Sequence, residues 1–301
     1  MERLLITLIL VCTMNNITNA QNPFYGQYHT PHETVPFDRI ETEHYEPAIL
    51  EGIKLQNAEI EAIIQNPEKA DFTNTIEAFE ESGELLDKVV AVFGNMLSAE
   101  TNDDLQELAQ KIMPLLSEHS NNITLNKKLF ARVKEVYNQK ETLQLTQEQK
   151  QLLENAYNSF IRHGANLEGE AREEYRRLTT ELSKLTLTFS ENNLKETNAY
   201  QMLLTKKESL AGLPEIIIEA AAETAKNEEK EGWAFTLHAP SYIPFMTYSD
   251  NRDLRQKLYM AYNTKCTHDN EFNNIDIVKK IANTRMKIAQ LLGYKDYAEY
   301  T

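Results

Sequence analysis

Apolar residues recur at alternating three- and four-residue steps through most of the chain, the spacing of one buried face on an α-helix. Ile49, Leu50, Ile53, Ile60, Ile63 and Ile64 fill one such face, in a helix opened by Glu46-Pro47 and closed by Asn66-Pro67. Asn74 then caps a long helix with Ile76, Phe79, Leu86, Val90, Phe93 and Leu97 in one row, which also contains Gly83. Asn102 ahead of Asp103 and Asp104 is a cap followed by acids that suit the helix dipole. That helix carries Leu105, Leu108, Ile112, Leu115 and Leu116, with a bend at Pro114. Asn126 introduces Leu129, Phe130, Val133 and Tyr137. Thr146 and Gln149 form a capping box ahead of Leu153, Tyr157 and Phe160. Tyr175, Leu178, Leu182, Leu185 and Phe189 form another seam, read as bundle core and not as a cofactor site.

Two short stretches break this rhythm. Residues 199–204 and 233–237 have strand-like length and composition and are expected to pair as a small antiparallel ribbon. Between them Pro214 opens a helix through Ile217 and Ala221, and the charge run 227–231 is a solvated turn. Helix then resumes. Asp250 or Asn251 caps Leu254, Leu258 and Tyr262, and Asn274 caps Ile277, Val278, Ile281, Ile288 and Leu292, stopped by Gly293. Lys295-Asp296-Tyr297-Ala298 starts one more helix, and an end at Thr301 inside that turn reads as a truncation. The fold class expected is all-α, a multi-helix lobe with a short two-stranded β ribbon. Residues 46–301 form the lobe, preceded by an extended Pro- and aromatic-rich arm over 21–45.

Composition narrows the function classes. The 301 residues are 41% hydrophobic and 26% charged, with nine Gly and nine Pro, which suits a helical globular protein. A net charge of −15 argues against nucleic acid, whose phosphates need Lys and Arg, and against an anionic membrane surface. Arg3, a short apolar run over 4–11 and the small-residue site Thr18-Asn19-Ala20 read as an export signal spanning 1–20. Cleavage after Ala20 leaves Gln21 as the mature end, in a periplasmic protein. The run is far shorter than the ~20 residues of a membrane span. Lipid anchoring at Cys12 ranks second, because Val11 is bulky for such a site. Without Cys12, Cys266 is alone and reads as a small buried apolar residue.

Catalytic motifs are missing from the sequence. Of seven histidines, only His32 is followed by Glu, and His32-Glu33-Thr34-Val35-Pro36 ends in Pro where a zincin helix needs a second His. His29 and His32, separated by Pro31, read as surface imidazoles. Cys266 and His268 would face different sides of a helix, and 268–271 reads as a polar loop with helix-cap residues. There is no Gly-rich phosphate loop and no Gly-x-Ser-x-Gly elbow. No catalytic residue and no metal ligand is assigned, and the substrate-binding residues are not identified.

Several segments nevertheless form an ordered set. They are Phe37-Asp38-Arg39-Ile40 with Glu43-His44-Tyr45-Glu46-Pro47-Ala48, then Phe72-Thr73-Asn74-Thr75-Ile76, then Ser82-Gly83-Glu84-Leu85-Leu86 running on to Ala99-Glu100-Thr101-Asn102-Asp103. Gly232-Trp233-Ala234-Phe235-Thr236-Leu237 with Pro240-Ser241-Tyr242 and Asn251-Arg252-Asp253-Leu254-Arg255 follow, and then Arg285 with Ala289-Gln290-Leu291-Leu292-Gly293-Tyr294. In order and spacing, from Asn22 to the chain end, they resemble the N-terminal half of the thimet oligopeptidase and peptidyl-dipeptidase family of zinc metallopeptidases, in its bacterial dipeptidyl carboxypeptidase branch. The resemblance implies two helical lobes flanking a channel, short peptides as substrates, and release of dipeptides from a free C-terminus. It implies one zinc, held by two His and a downstream Glu of the catalytic half, with a further Glu as general base. None of those residues matches a position here, so zinc is expected for the full-length family member and none for this chain, which alone is expected to be inactive. A third reading is a complementing pair, with the catalytic half encoded separately as partner. The competing reading is an exported, non-catalytic helical module that binds peptides or a partner.

Overall fold

The computed structural model describes residues 22–301, so the expected signal, its cleavage point and Cys12 lie outside the described residues. The described chain is mostly α-helical, as the periodicity predicts. Its helices are α1 (Thr42–Gln65), α2 (Glu84–Ala99), α3 (Asp103–Thr124), α4 (Lys127–Asn138), α5 (Gln147–Arg162), α6 (Gly169–Ala199), α7 (Glu215–Asn227), α8 (Ala239–Tyr248), α9 (Arg252–Asn263), α10 (Ile275–Leu291) and α11 (Tyr297–Tyr300). The ribbon forms where it is expected. β1 (Gln201–Leu204) runs antiparallel to β2 (Trp233–Thr236), with Met202 opposite Phe235. Among the described residues no helix is long and apolar enough to cross a membrane.

The chain folds as two compact units, residues 22–183 with 286–301, and residues 184–285. In the first, Ile60, Ile63, Phe72, Ile76, Phe130, Val133, Leu153 and Phe160 share one core. An aromatic file of Phe24, Tyr45 and Phe93 ties the N-terminal arm to α1 and α2, with centroids 5.4 and 5.2 Å apart. Lys88 clamps the same arm, donating to the carbonyls of Phe24 and Gly26 and lying 4.0 Å from the Tyr28 ring. Leu125, Tyr175, Leu178 and Ile288 make a second cluster in this unit. The second unit packs Met202, Leu204, Phe235, Leu237, Phe245 and Leu258 around the ribbon.

Most caps form as read. Asn102 accepts from the Leu105 amide at 2.8 Å, and Asn251 from the Leu254 amide at 3.1 Å. Thr146 and Gln149 exchange reciprocal bonds at 3.0 and 3.2 Å. Gly293 takes a left-handed φ of +91° just past α10.

The structure departs from the sequence reading at five places. First, α1 begins at Thr42, not Glu46, because the Glu41 amide donates to His44 Nδ1 at 2.9 Å and closes the first turn earlier. Pro47 is then inside the helix, and Leu50 is 45% exposed because the buried stripe runs instead through Tyr45, Ala48, Ile49 and Gly52. Second, Asp71 and not Asn74 caps the next segment, accepting from the Asn74 amide at 2.7 Å. That segment opens as a π-helical turn (Phe72–Glu77) and is broken before α2 by Gly83 at φ +87°. Third, α8 had no signal in the sequence, since Pro240 and Pro244 mask it; Pro240 sits in the first turn, where no amide is required. Fourth, Phe189 does not enter a bundle core and is 38% exposed. Fifth, Asn274 stands at the start of α10 as read, its carbonyl accepting from the Val278 amide at 2.8 Å, but its side chain does not cap the helix. Its side chain donates to the Phe189 carbonyl and accepts from Asn192, both at 2.9 Å, while Asn273 accepts from the Ile275 amide.

Candidate binding site

Seven histidines do not converge. His29 and His32 are exposed in the arm at φ +54° and +58°. His44 caps α1, His163 closes α5 against the Ser159 carbonyl, and His238 is exposed ahead of α8. His119 is buried, with Nε2 2.7 Å from Gln56 Oε1 and Nδ1 without a partner. Burial pushes its pKa below the usual 6.5, so it is neutral, and the bond to a carbonyl oxygen puts the ring proton on Nε2. Gln56 in turn donates to the Ser82 carbonyl, and Glu59 accepts from the Gly83 amide, so this group braces the break ahead of α2. Its role is structural.

Chemistry-bearing side chains do meet in the second unit. Residues 264–274 between α9 and α10 are a loop, not a helix, and Cys266 has φ +57°. The different-faces argument against a Cys266–His268 pairing therefore does not apply. Glu196, from the last turns of α6, joins them. Its carboxylate accepts from the Cys266 amide, lies 2.7 Å from His268 Nδ1 and 3.4 Å from Asn270 Nδ2. Burial pushes the Glu196 pKa up, but the bonds from His268 and Cys266 outweigh it and leave the pKa below the usual carboxylate value. Cys266 moves the other way. Burial, with the adjacent Glu196 carboxylate, pushes its thiol up to about 11. At neutral pH the thiol is protonated and a poor nucleophile. The arrangement anchors the loop, and its thiol is not an activated nucleophile.

What the anchored loop builds is a concavity. A pocket of about 340 Å³ is lined by Phe189, Lys265, Cys266, Ile275 and Val278, with Asn193, Thr267, Asn274 and Lys279 completing it. Ile275 and Val278 are 42% and 49% exposed, and with Phe189 they give the pocket an apolar mouth. A mainly apolar wall with a few placed polar groups is the usual make-up of a small-ligand pocket. Sequence reasoning missed it because Glu196 and Phe189 lie some 70 or more residues from the loop they meet.

Residues 245–301 match the family model of Peptidase family M3. The chain is 35% identical over 282 residues to the dipeptidyl carboxypeptidase of Escherichia coli K12, covering 93% of this chain and 41% of that protein. It is likewise 35% identical over 282 residues to the dipeptidyl carboxypeptidase of Salmonella typhimurium, covering 93% of this chain and 42% of that protein. To the oligopeptidase A of Salmonella typhimurium it is 30% identical over 281 residues, 92% of this chain and 41% of that protein. The chain thus spans about 41% of the length of these curated relatives. The chain is thus similar along 92–93% of its length to three bacterial peptidases, and over residues 245–301 to the model of Peptidase family M3.

Proposed function

We propose that the chain is the N-terminal portion of an exported zinc metallopeptidase of the dipeptidyl carboxypeptidase type, and that it contributes peptide-holding surface, not the hydrolytic groups. The observation that supports this most is 35% identity over 93% of the chain to a protein named dipeptidyl carboxypeptidase. Two others fit it. The sequence holds no His-Glu-x-x-His, and the thiol best placed beside a pocket is held protonated.

The family is zinc-dependent. Among the described residues no group of three His, Cys, Asp or Glu side chains is placed to hold a metal ion. In this reading the zinc and its activated water belong to residues of a full-length or separately encoded catalytic half. A competing reading, an exported non-catalytic peptide-binding module, is favoured by the same pocket.

The test uses the chain beginning at Gln21, with a blocked oligopeptide carrying a free C-terminus, with and without added zinc. Bound metal and dipeptide release are measured together. Neither stoichiometric zinc nor dipeptide release is expected. One zinc per chain with chelator-sensitive cleavage would overturn the reading.

A further inference from the structure

We infer that the pocket between α6 and the loop 264–274 is a site for a small, neutral, apolar molecule of one or two fused rings, of the indole or phenol class, and not for a charged ligand or a peptide. This goes beyond the peptidase reading and does not rest on it, since no bond is broken at the site.

Shape comes first. Every lining residue belongs to the unit 184–285. At about 340 Å³ the pocket is near the lower end of the ~300–1,000 Å³ range of small-molecule sites, which suits a ring system and not a long chain. Phe189 from α6, with Ile275 and Val278 from the start of α10, is exposed around the opening, and Cys266 is buried in the wall. Scattered exposed apolar residues need no explanation, but three lining one concavity are a surface that gains by being covered. The walls are also tied together. Glu196 holds the Cys266 amide, His268 and Asn270, and Asn274 links the Phe189 carbonyl to Asn192, both at 2.9 Å. A pocket built in advance costs less ordering when a ligand enters.

Charge decides the class. Among the described residues no Asp or Glu lines the pocket, and its two lysines have partners of their own. Lys279 pairs with Asp276 at 3.2 Å. The Lys265 ammonium donates to the Thr197 hydroxyl at 3.0 Å and lies 4.5 Å from the centroid of the Tyr262 ring, and neither Thr197 nor Tyr262 lines the pocket. The Thr267 hydroxyl donates to the Thr264 carbonyl at 2.7 Å. The Cys266 thiol, pushed up to about 11, is neutral, and a neutral sulfur is a favourable neighbour for an aromatic ring. A charged ligand would lose its hydration here without meeting a counter-charge that is not already matched. Asn193, exposed on α6, adds a neutral amide able to bond one N–H or O–H of a ligand. The complement of this lining is a neutral ring with at most one hydrogen-bonding group.

The experiment is a methyl NMR titration of the chain labelled at Ile and Val, with three probes that share one ring: indole, indole-3-acetate and tryptamine. Indole is expected to shift the Ile275 and Val278 methyls saturably. The anionic and cationic analogues are expected to bind at least tenfold more weakly. Val278→Asp places a charge at the exposed mouth and is expected to abolish the indole shifts at Ile275, while Ile216→Asp, on the exposed face of α7, leaves them unchanged. No saturable shift with indole up to ~5 mM, or binding of either charged analogue as tight as that of indole, overturns the proposal. So does N-acetyl-Ala-Leu-amide binding as tightly as indole, which would make the pocket a peptide site. If Val278→Asp does not fold, the series of probes on the unaltered chain decides. Zinc content and dipeptide release are separate readouts, so the peptidase reading stands or falls independently of this pocket.

Discussion

Gly52 lies in the middle of α1, where a glycine costs helix stability, so secondary structure alone predicts that Gly52→Ala stabilises the protein by about 1 kcal/mol. The packing predicts the opposite. A Cβ built at Gly52 falls 2.9 Å from Leu86 Cα and 3.0 Å from Leu86 N and Cβ. These are mostly backbone atoms of α2, so no rotamer change can make room, and the helices must separate. Overpacking of this kind costs about 1–3 kcal/mol. Set against the gain of about 1 kcal/mol in propensity, the net change ranges from near zero to about 2 kcal/mol of destabilisation, and because the contacts are backbone the upper part is expected. Gly94 supplies the control. It lies in α2, exposed, with nothing within 4 Å of its would-be Cβ, so Gly94→Ala keeps the propensity gain without the clash. Urea denaturation of both variants beside the unaltered chain gives the two midpoints. Gly94→Ala should move to higher urea and Gly52→Ala to lower. If Gly52→Ala gains as much as Gly94→Ala, the close approach of α1 and α2 is wrong.

His119 makes stability pH-dependent. Its folded pKa lies below 6.5, so the native state binds fewer protons than the unfolded one as pH falls through that value. Its contribution is complete above about pH 6.5 and is lost below it, by at most about 1.4 kcal/mol per pH unit until the folded pKa is reached. Urea midpoints between pH 7.5 and 5.5 should fall more for the unaltered chain than for His119→Gln, and parallel curves would refute the assignment. Cys266, with a thiol at about 11 against an ordinary 9.0, should react with iodoacetamide at pH 7.5 roughly 100-fold more slowly than an unfolded control. Equal rates in native and denatured chain, measured by mass spectrometry on the form beginning at Gln21, would show the thiol to be exposed and ionisable.

What the sequence determined is much of what is set by neighbours along the chain, although the Glu41–His44 and Asp71–Asn74 contacts, three residues apart, were missed. Helical periodicity, the Thr146–Gln149 box, the Asn102 and Asn251 caps and the Gly293 stop rest on contacts within about four residues, so they are legible in the order of amino acids alone. The ribbon was legible because two short β-rich stretches interrupt a helical chain. Tertiary structure decided whatever depends on distant partners. Which face of α1 is buried is set by α2 packing on Gly52, so Leu50 ended outside although it fits the stripe. Phe189 fits a heptad seam equally well, yet it lines a pocket because the loop 264–274 is pinned near it by Glu196 and Asn274. That the order of residues contains no His-Glu-x-x-His was readable directly. The binding surface was not, since a pocket is a relation among residues some 70–90 positions apart, and only the folded chain brings them within reach of one another.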